Sequence, residues 1–140
     1  RLDSAFSWLG YDVDTTGAAF VGGASEWAST RLELARSGTA SLDVVDGGVV
    51  RTGELLLAAA GRATVTVEGD GSRLIGKGNA TLGGANAAAT GQAELTVRDG
   101  GTLDLSGLLR VFDGSTLTLD GGTLRAGQFD VRGRFAFESG

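Results

Sequence analysis

Cysteine, histidine, proline and methionine are all missing from this chain of 140 residues. Without cysteine there is no disulfide and no thiolate metal site. Without histidine the commonest general base and the commonest metal ligand are gone. A nucleophile–base pair is then restricted to a Ser–Lys arrangement. The single lysine, Lys77, lies in Gly76-Lys77-Gly78-Asn79 and reads as a solvated turn residue. Basic residues are otherwise scattered arginines in a chain of net charge −5, which argues against a grip on nucleic acid phosphates or on an anionic membrane surface. No apolar run is long enough for a membrane-spanning helix. Collagen is excluded by 25 glycines with no proline and no triplet period. No signal peptide is visible, and the chain runs from Arg1 to a turn-like Ser139-Gly140. We read residues 1–140 as one segment cut from a longer mature protein.

What is present is a repeat. Gly-x-Ala-x-(Leu/Val)-x-Val, followed by a glycine-rich turn, occurs at Gly38-Thr39-Ala40-Ser41-Leu42-Asp43-Val44, at Gly61-Arg62-Ala63-Thr64-Val65-Thr66-Val67 and at Gly91-Gln92-Ala93-Glu94-Leu95-Thr96-Val97. A shortened copy begins at Gly114 and a degenerate one at Gly17, so the leading glycines are 21, 23, 30 and 23 residues apart. A period of about twenty residues made of short strands and glycine turns is the signature of a solenoid.

The unit at residues 38–60 shows the logic. Ala40, Leu42 and Val44 alternate with Ser41 and Asp43, which puts the first set on one face of a strand and the second on the other. Asp46-Gly47-Gly48 breaks that strand with residues that tolerate a left-handed backbone. Val49-Val50-Arg51-Thr52 reads as a second strand, Gly53 as a corner, and Glu54-Leu55-Leu56-Leu57 as a third. Three strands and three corners describe one coil of a parallel β-helix. The fold class is therefore all-β, a parallel β-solenoid of about five to six coils with glycine-rich corners, roughly 25–30 Å tall at a strand spacing of ~4.8 Å. Asp99-Gly100-Gly101 and Asp120-Gly121-Gly122 repeat the first corner. The 30-residue unit carries an insertion around residues 84–90, expected at a corner. Phe6, Trp8 and Phe20 near one end, and Phe129, Phe135 and Phe137 near the other, are expected to fill wider end coils or to form a contact patch.

The stretch from Leu32-Glu33-Leu34 through Gly38 to Asp46-Gly47-Gly48 resembles the β-helix repeats of bacterial autotransporter passenger domains and related exported surface proteins. Leu9-Gly10-Tyr11-Asp12 is similar to a phrase that precedes the repeat in that family. Gly23-Ala24-Ser25-Glu26-Trp27 and Gly71-Ser72-Arg73-Leu74 are similar to the turn that follows it, with Ala24 in place of a glycine and Leu74 in place of a tryptophan. The resemblance covers residues 8–131. It implies a β-helical architecture and export to the cell surface, and it supplies no catalytic residues.

Asp46, Asp99 and Asp120 each precede a Gly-Gly pair, with Asp70 near an equivalent corner. Stacking would line them up as a weak Ca²⁺ ladder or as acid–base carboxylates of a glycan-cleaving enzyme; the simpler reading is turn chemistry. The threonines at 64, 66, 116 and 118 suggest an ice-binding array, interrupted by Asp43 and Glu94. Tyr11 and Trp27 are the candidate platform for a carbohydrate-binding module. The expected function is a structural or adhesive rod of the extracellular or bacterial cell surface. It is expected to be no enzyme and to need no cofactor. Its expected partners are neighbouring coils, other copies end to end, and glycans or a host surface, with no nucleic acid and no membrane insertion.

Overall fold

A computed structural model describes residues 2–12, 14–23, 25–84 and 90–139. Ala24 of the turn phrase and most of the insertion, residues 85–89, lie outside the described residues. The described residues form thirteen strands: β1 (Leu2–Leu9), β2 (Thr16–Val21), β3 (Glu26–Leu34), β4 (Thr39–Val45), β5 (Val49–Leu57), β6 (Arg62–Glu68), β7 (Arg73–Gly76), β8 (Ala80–Leu82), β9 (Gln92–Arg98), β10 (Thr102–Val111), β11 (Thr116–Asp120), β12 (Thr123–Val131) and β13 (Arg134–Ser139). Apart from β7 and β8, which share a sheet, successive strands alternate between two sheets. One runs β1-β3-β5-β7-β10-β12, with β8 also paired to β5 and β10; the other runs β2-β4-β6-β9-β11-β13. Every pairing between these strands is parallel, and each joins a strand to its equivalent one coil away. The result is a β-solenoid of about five turns.

The core is a set of columns. Leu42, Val65, Leu95 and Leu117 are in register on four successive rungs, and all four are fully buried. Val44, Val67, Val97 and Leu119 form the next column. The alternation read at Ala40, Leu42 and Val44 is the observed one, with Ser41 and Asp43 turned outward. Burying each Leu or Val contributes about 1.5–3 kcal/mol, and only stacking makes that burial available, since a single coil leaves both its edges open.

The corner expected at Gly53 is not a break. Residues 49–57 form one strand, not two separated by a turn. Burial falls on Val50 and Thr52, then on Leu55 and Leu57. The inward phase thus slips by one residue at Gly53, and the strand bends without ending. The Thr52 hydroxyl holds the bend by donating to the Glu54 carbonyl at 2.7 Å. Ser29, on the rung before, does the same to the Arg31 carbonyl at 2.8 Å. On the next rung the position is Gly76, and a Cβ there would sit 2.7 Å from Leu105 Cδ2. In this coil a gap, residues 77–79, splits the strand into β7 and β8.

The register also corrects the repeat alignment. Thr39, Arg62 and Gln92 share a row, so Gly38, Gly61 and Gly91 are equivalent. Gly17 instead pairs with Ala40. The pairing Thr116↔Glu94 puts Gly114 level with Gln92, one residue past the glycine column. The fully buried Ser115 follows the column Ala40, Ala63, Ala93 and accepts a hydrogen bond from the Ala93 amide at 3.0 Å.

Two kinds of glycine are needed. Gly61 is packed against backbone: a Cβ there would lie 2.0 Å from the Gly38 carbonyl oxygen and 2.8 Å from that of Ala35. Gly47 has open space around it but a φ of +83°. Denaturant unfolding of Gly61→Ala is therefore expected to show a loss of about 3 kcal/mol, from the forced backbone shift. Gly47→Ala is expected to lose only about 1 kcal/mol, from the left-handed backbone. Equal losses would show that the corner column is not tightly packed.

Candidate functional site

The Asp-Gly-Gly corners are turns. Asp46 (φ 49°) and Gly47 (φ 83°) are both left-handed, and the Gly48 amide donates to the Val45 carbonyl at 2.8 Å. This is the backbone pattern of a type I′ turn. Asp99 (φ 51°) and Gly100 (φ 89°) repeat it, closed by Gly101 N to Arg98 O at 2.9 Å. In both turns the aspartate stands first because it tolerates the left-handed region. At the third corner only Gly121 of the trio is left-handed (φ 76°), and Gly122 follows it as Gly48 and Gly101 follow theirs.

These aspartates do not form the expected ladder. The pairings Val45↔Glu68, Glu68↔Arg98 and Arg98↔Asp120 put Asp120 one row away from Asp46 and Asp99. By the same register Gly69 stands between Asp46 and Asp99. The Asp70 carboxylate packs against Gly100, where a Cβ would lie 2.0 Å from Oδ1. Arg98 is the centre of the neighbouring row, with Nη2 2.9 Å from Glu68 Oε2 and Nε 4.0 Å from Asp99 Oδ2. Its hydrogen bond to Glu68, and then the Glu68 charge, hold its pKa above the usual arginine value, with smaller help from Asp99 and Asp120 against slight desolvation. Among the described residues no three His, Cys, Asp or Glu side chains are grouped to hold a metal ion.

Other charged side chains join one coil to the next. Arg51 Nε meets Glu26 Oε1 at 3.1 Å, Arg31 Nη1 meets Glu54 Oε2 at 3.4 Å, and Arg110 Nε meets Asp130 Oδ2 at 3.1 Å. Arg62 Nη2 donates to Gln92 Oε1 at 3.0 Å. Thr66, Thr96 and Thr118 stack on one row, but Asp43 precedes them, and the adjacent row runs Ser41, Thr64, Glu94, Thr116, Arg134. Charge interrupts that face, as the sequence suggests.

The aromatic residues divide. Trp27 is only 8% exposed and belongs to the core, in the inward column with Val50 and Leu74. It therefore cannot serve as a contact platform, which corrects the expectation. The reason is period-two phase: Trp27 and Ser29 alternate inward along β3. Tyr11 is 43% exposed, and beside it stand Trp8 at 49% and Phe6 at 56%, which the sequence offered as end-coil fillers or a contact patch but did not join to Tyr11. The Phe6 and Trp8 rings stack with centroids 6.0 Å apart, and Trp8 meets Tyr11 edge-on at 5.9 Å. Phe6 and Trp8 pair with Arg31 and Glu33, not with the core positions Leu32 and Leu34, so they point out of the coil. The indole Nε1 donates to Glu33 Oε2 at 3.1 Å, and Arg31 Nε reaches the same oxygen at 3.3 Å. The Arg36 guanidinium lies 5.0 Å from the Tyr11 ring centre. The only sequence signal for this shelf is the i, i+2 spacing of Phe6 and Trp8 with Tyr11 just past the strand.

A groove of about 850 Å³ runs along the corner that follows the shelf. Its lining includes one row of side chains, Thr16, Thr39, Arg62 and Gln92, in register on four rungs, together with Asp14 and Asp113.

With the corner carboxylates split between rows, Ca²⁺ is expected to leave the melting temperature unchanged at ~1 mM, and Asp99→Asn to leave any Ca²⁺ response the same. A site that bound the ion in the folded state alone would raise the melting temperature with ion concentration. A rise seen in the parent chain and lost in Asp99→Asn would contradict the turn assignment.

No protein-family model, curated protein or solved structure matches this chain.

Proposed function

We propose that the chain is a rigid rod segment of a bacterial surface protein, of the kind seen in the autotransporter passenger domains its repeats resemble. Its role is structural or adhesive, it performs no catalysis and needs no cofactor, and it works outside the cell. The observation that carries this reading is where the charged side chains go. Ion pairs at Glu26–Arg51, Arg31–Glu54, Glu68–Arg98 and Arg110–Asp130 all bridge adjacent coils. Exposed pairs of this kind are worth little singly. Repeated along the stack, they oppose sliding and splaying of the coils, as a spacer requires.

The last coil supports a second property of the same rod. Phe129, Val131, Phe135 and Phe137 are in register with Leu109, Val111, Leu117 and Leu119. Those four partners are core residues, whereas the last-coil side chains are exposed. They form an apolar end with an open strand edge, a template for strand addition. In this reading the face is covered by the next coil of the stack, from the same longer chain or from another copy, and head-to-tail contacts between copies build filaments because they do not close.

Negative-stain electron microscopy and sedimentation over a concentration series test this. Rods longer than one stack, roughly 25–30 Å at ~4.8 Å per coil, are expected to lengthen with concentration. Phe137→Glu is expected to shorten them to single stacks. Single stacks at every concentration, or filaments unaffected by Phe137→Glu, would contradict end-to-end growth.

A further inference from the structure

We infer that the Phe6–Trp8–Tyr11 shelf and the adjoining corner groove together bind an extended, uncharged glycan chain. This site faces outward from the side of the rod and begins on its first coil.

Three observations converge on it. The first is the shelf itself. Three neighbouring rings, each about half exposed, offer apolar faces of the kind that pack on the C–H faces of sugar rings. They are also held in place. Glu33, itself only 5% exposed, accepts from the Trp8 indole at 3.1 Å, and Arg36 lies over Tyr11 at 5.0 Å. Rings fixed before binding lose little conformational entropy when a ligand arrives.

The second is the groove. Tyr11 leads within three residues to Asp14, and Arg36 leads directly to Ser37, so the shelf runs into the groove at its first coil. One row of its lining then carries hydroxyl, hydroxyl, guanidinium and amide on successive rungs at Thr16, Thr39, Arg62 and Gln92, with one guanidinium N–H already given to the Gln92 amide oxygen. The rungs repeat every ~4.8 Å, on the scale of one sugar ring. The hydroxyls and the amide both donate and accept and the guanidinium donates, which matches a chain of hydroxyl groups. Few convergent polar groups beside aromatic surface is the common composition of a small-molecule or oligomer site.

The third is charge. Asp14 and Asp113 line the groove together with the single cation Arg62, and the chain as a whole carries −5. A polyanion meets net repulsion there, whereas a neutral chain does not.

The test is native affinity electrophoresis of the whole chain in gels cast with hydroxyethyl cellulose, xyloglucan or polygalacturonate. Retardation is expected with at least one of the two neutral polymers and not with polygalacturonate. Tyr11→Ala and Gln92→Ala, both at exposed positions, are each expected to weaken retardation roughly fivefold, while Thr66→Ala, outside the groove, leaves it unchanged. Circular dichroism melts confirm that the variants stay folded. A second measurement does not depend on truncation. Trp8 is exposed and Trp27 buried, so the neutral polymer is expected to change tryptophan emission in the parent chain and not in Trp8→Phe. The inference is overturned by retardation with polygalacturonate alone or with none of the three polymers. It is equally overturned by retardation that survives Tyr11→Ala combined with Gln92→Ala, or by a self-dimer, abolished by Tyr11→Ala, that accounts for the shelf.

Discussion

The constraint on which everything else rests is the parallel hydrogen-bond ladder between coils. Each inner strand takes its partners from the strand one coil before and the strand one coil after, so a residue stacks on its counterpart 18 to 30 positions away. Once that register is set, like must sit on like. Leu42, Val65, Leu95 and Leu117 become a single apolar column, and a corner glycine in one coil presses on the corner backbone of the coil below, as Gly61 does on Gly38. Repetition in the sequence is thus the imprint of repetition along the axis.

The same constraint sorts the polar residues. Positions that face outward on neighbouring rungs lie within reach of one another, and opposite charges there become clips between coils. Inward polar positions are admitted where a hydroxyl can satisfy itself locally. Thr52 and Ser29 do so by bonding the carbonyl two residues ahead, and this turns a would-be corner into a bend. The aromatic shelf follows a different rule. Phe6 and Trp8 point away from the core columns, and the chain invests a buried glutamate in holding one of them.

Much of this was legible in the sequence. The alternation at Ala40-Ser41-Leu42-Asp43-Val44 fixed both the strand and its buried face, and the Asp-Gly-Gly phrases marked two real left-handed turns. The misreadings share a cause. Glycine is used here for close approach at Gly61 and for a left-handed backbone at Gly47, and the letter alone does not separate the two uses. Gly17 and Gly114 were therefore aligned with the wrong column. Asp120 was misaligned for the same reason, because register is decided by non-local bonding and not by the local phrase. Trp27 looked like a contact residue because its inward phase depends on the strand Glu26–Leu34 starting where it does. The bend at Gly53 was read as a turn, since a one-residue slip in phase resembles a break when no partner strand is visible. The groove was not legible at all, because Thr16, Thr39, Arg62 and Gln92 become neighbours only through stacking.

The register is the central claim, and a cross-link tests it most directly. Native cysteine is lacking, so an introduced pair reports without background. Thr96 and Thr118 face each other on adjacent rungs, at a separation a disulfide can span. The double variant Thr96→Cys with Thr118→Cys is expected to oxidise to an intramolecular disulfide in dilute solution and to keep its fold. Alignment of the leading glycines would instead place Thr96 opposite Leu119. If the 96/118 pair stays reduced while Thr96→Cys with Leu119→Cys cross-links readily, the stacking described here is wrong.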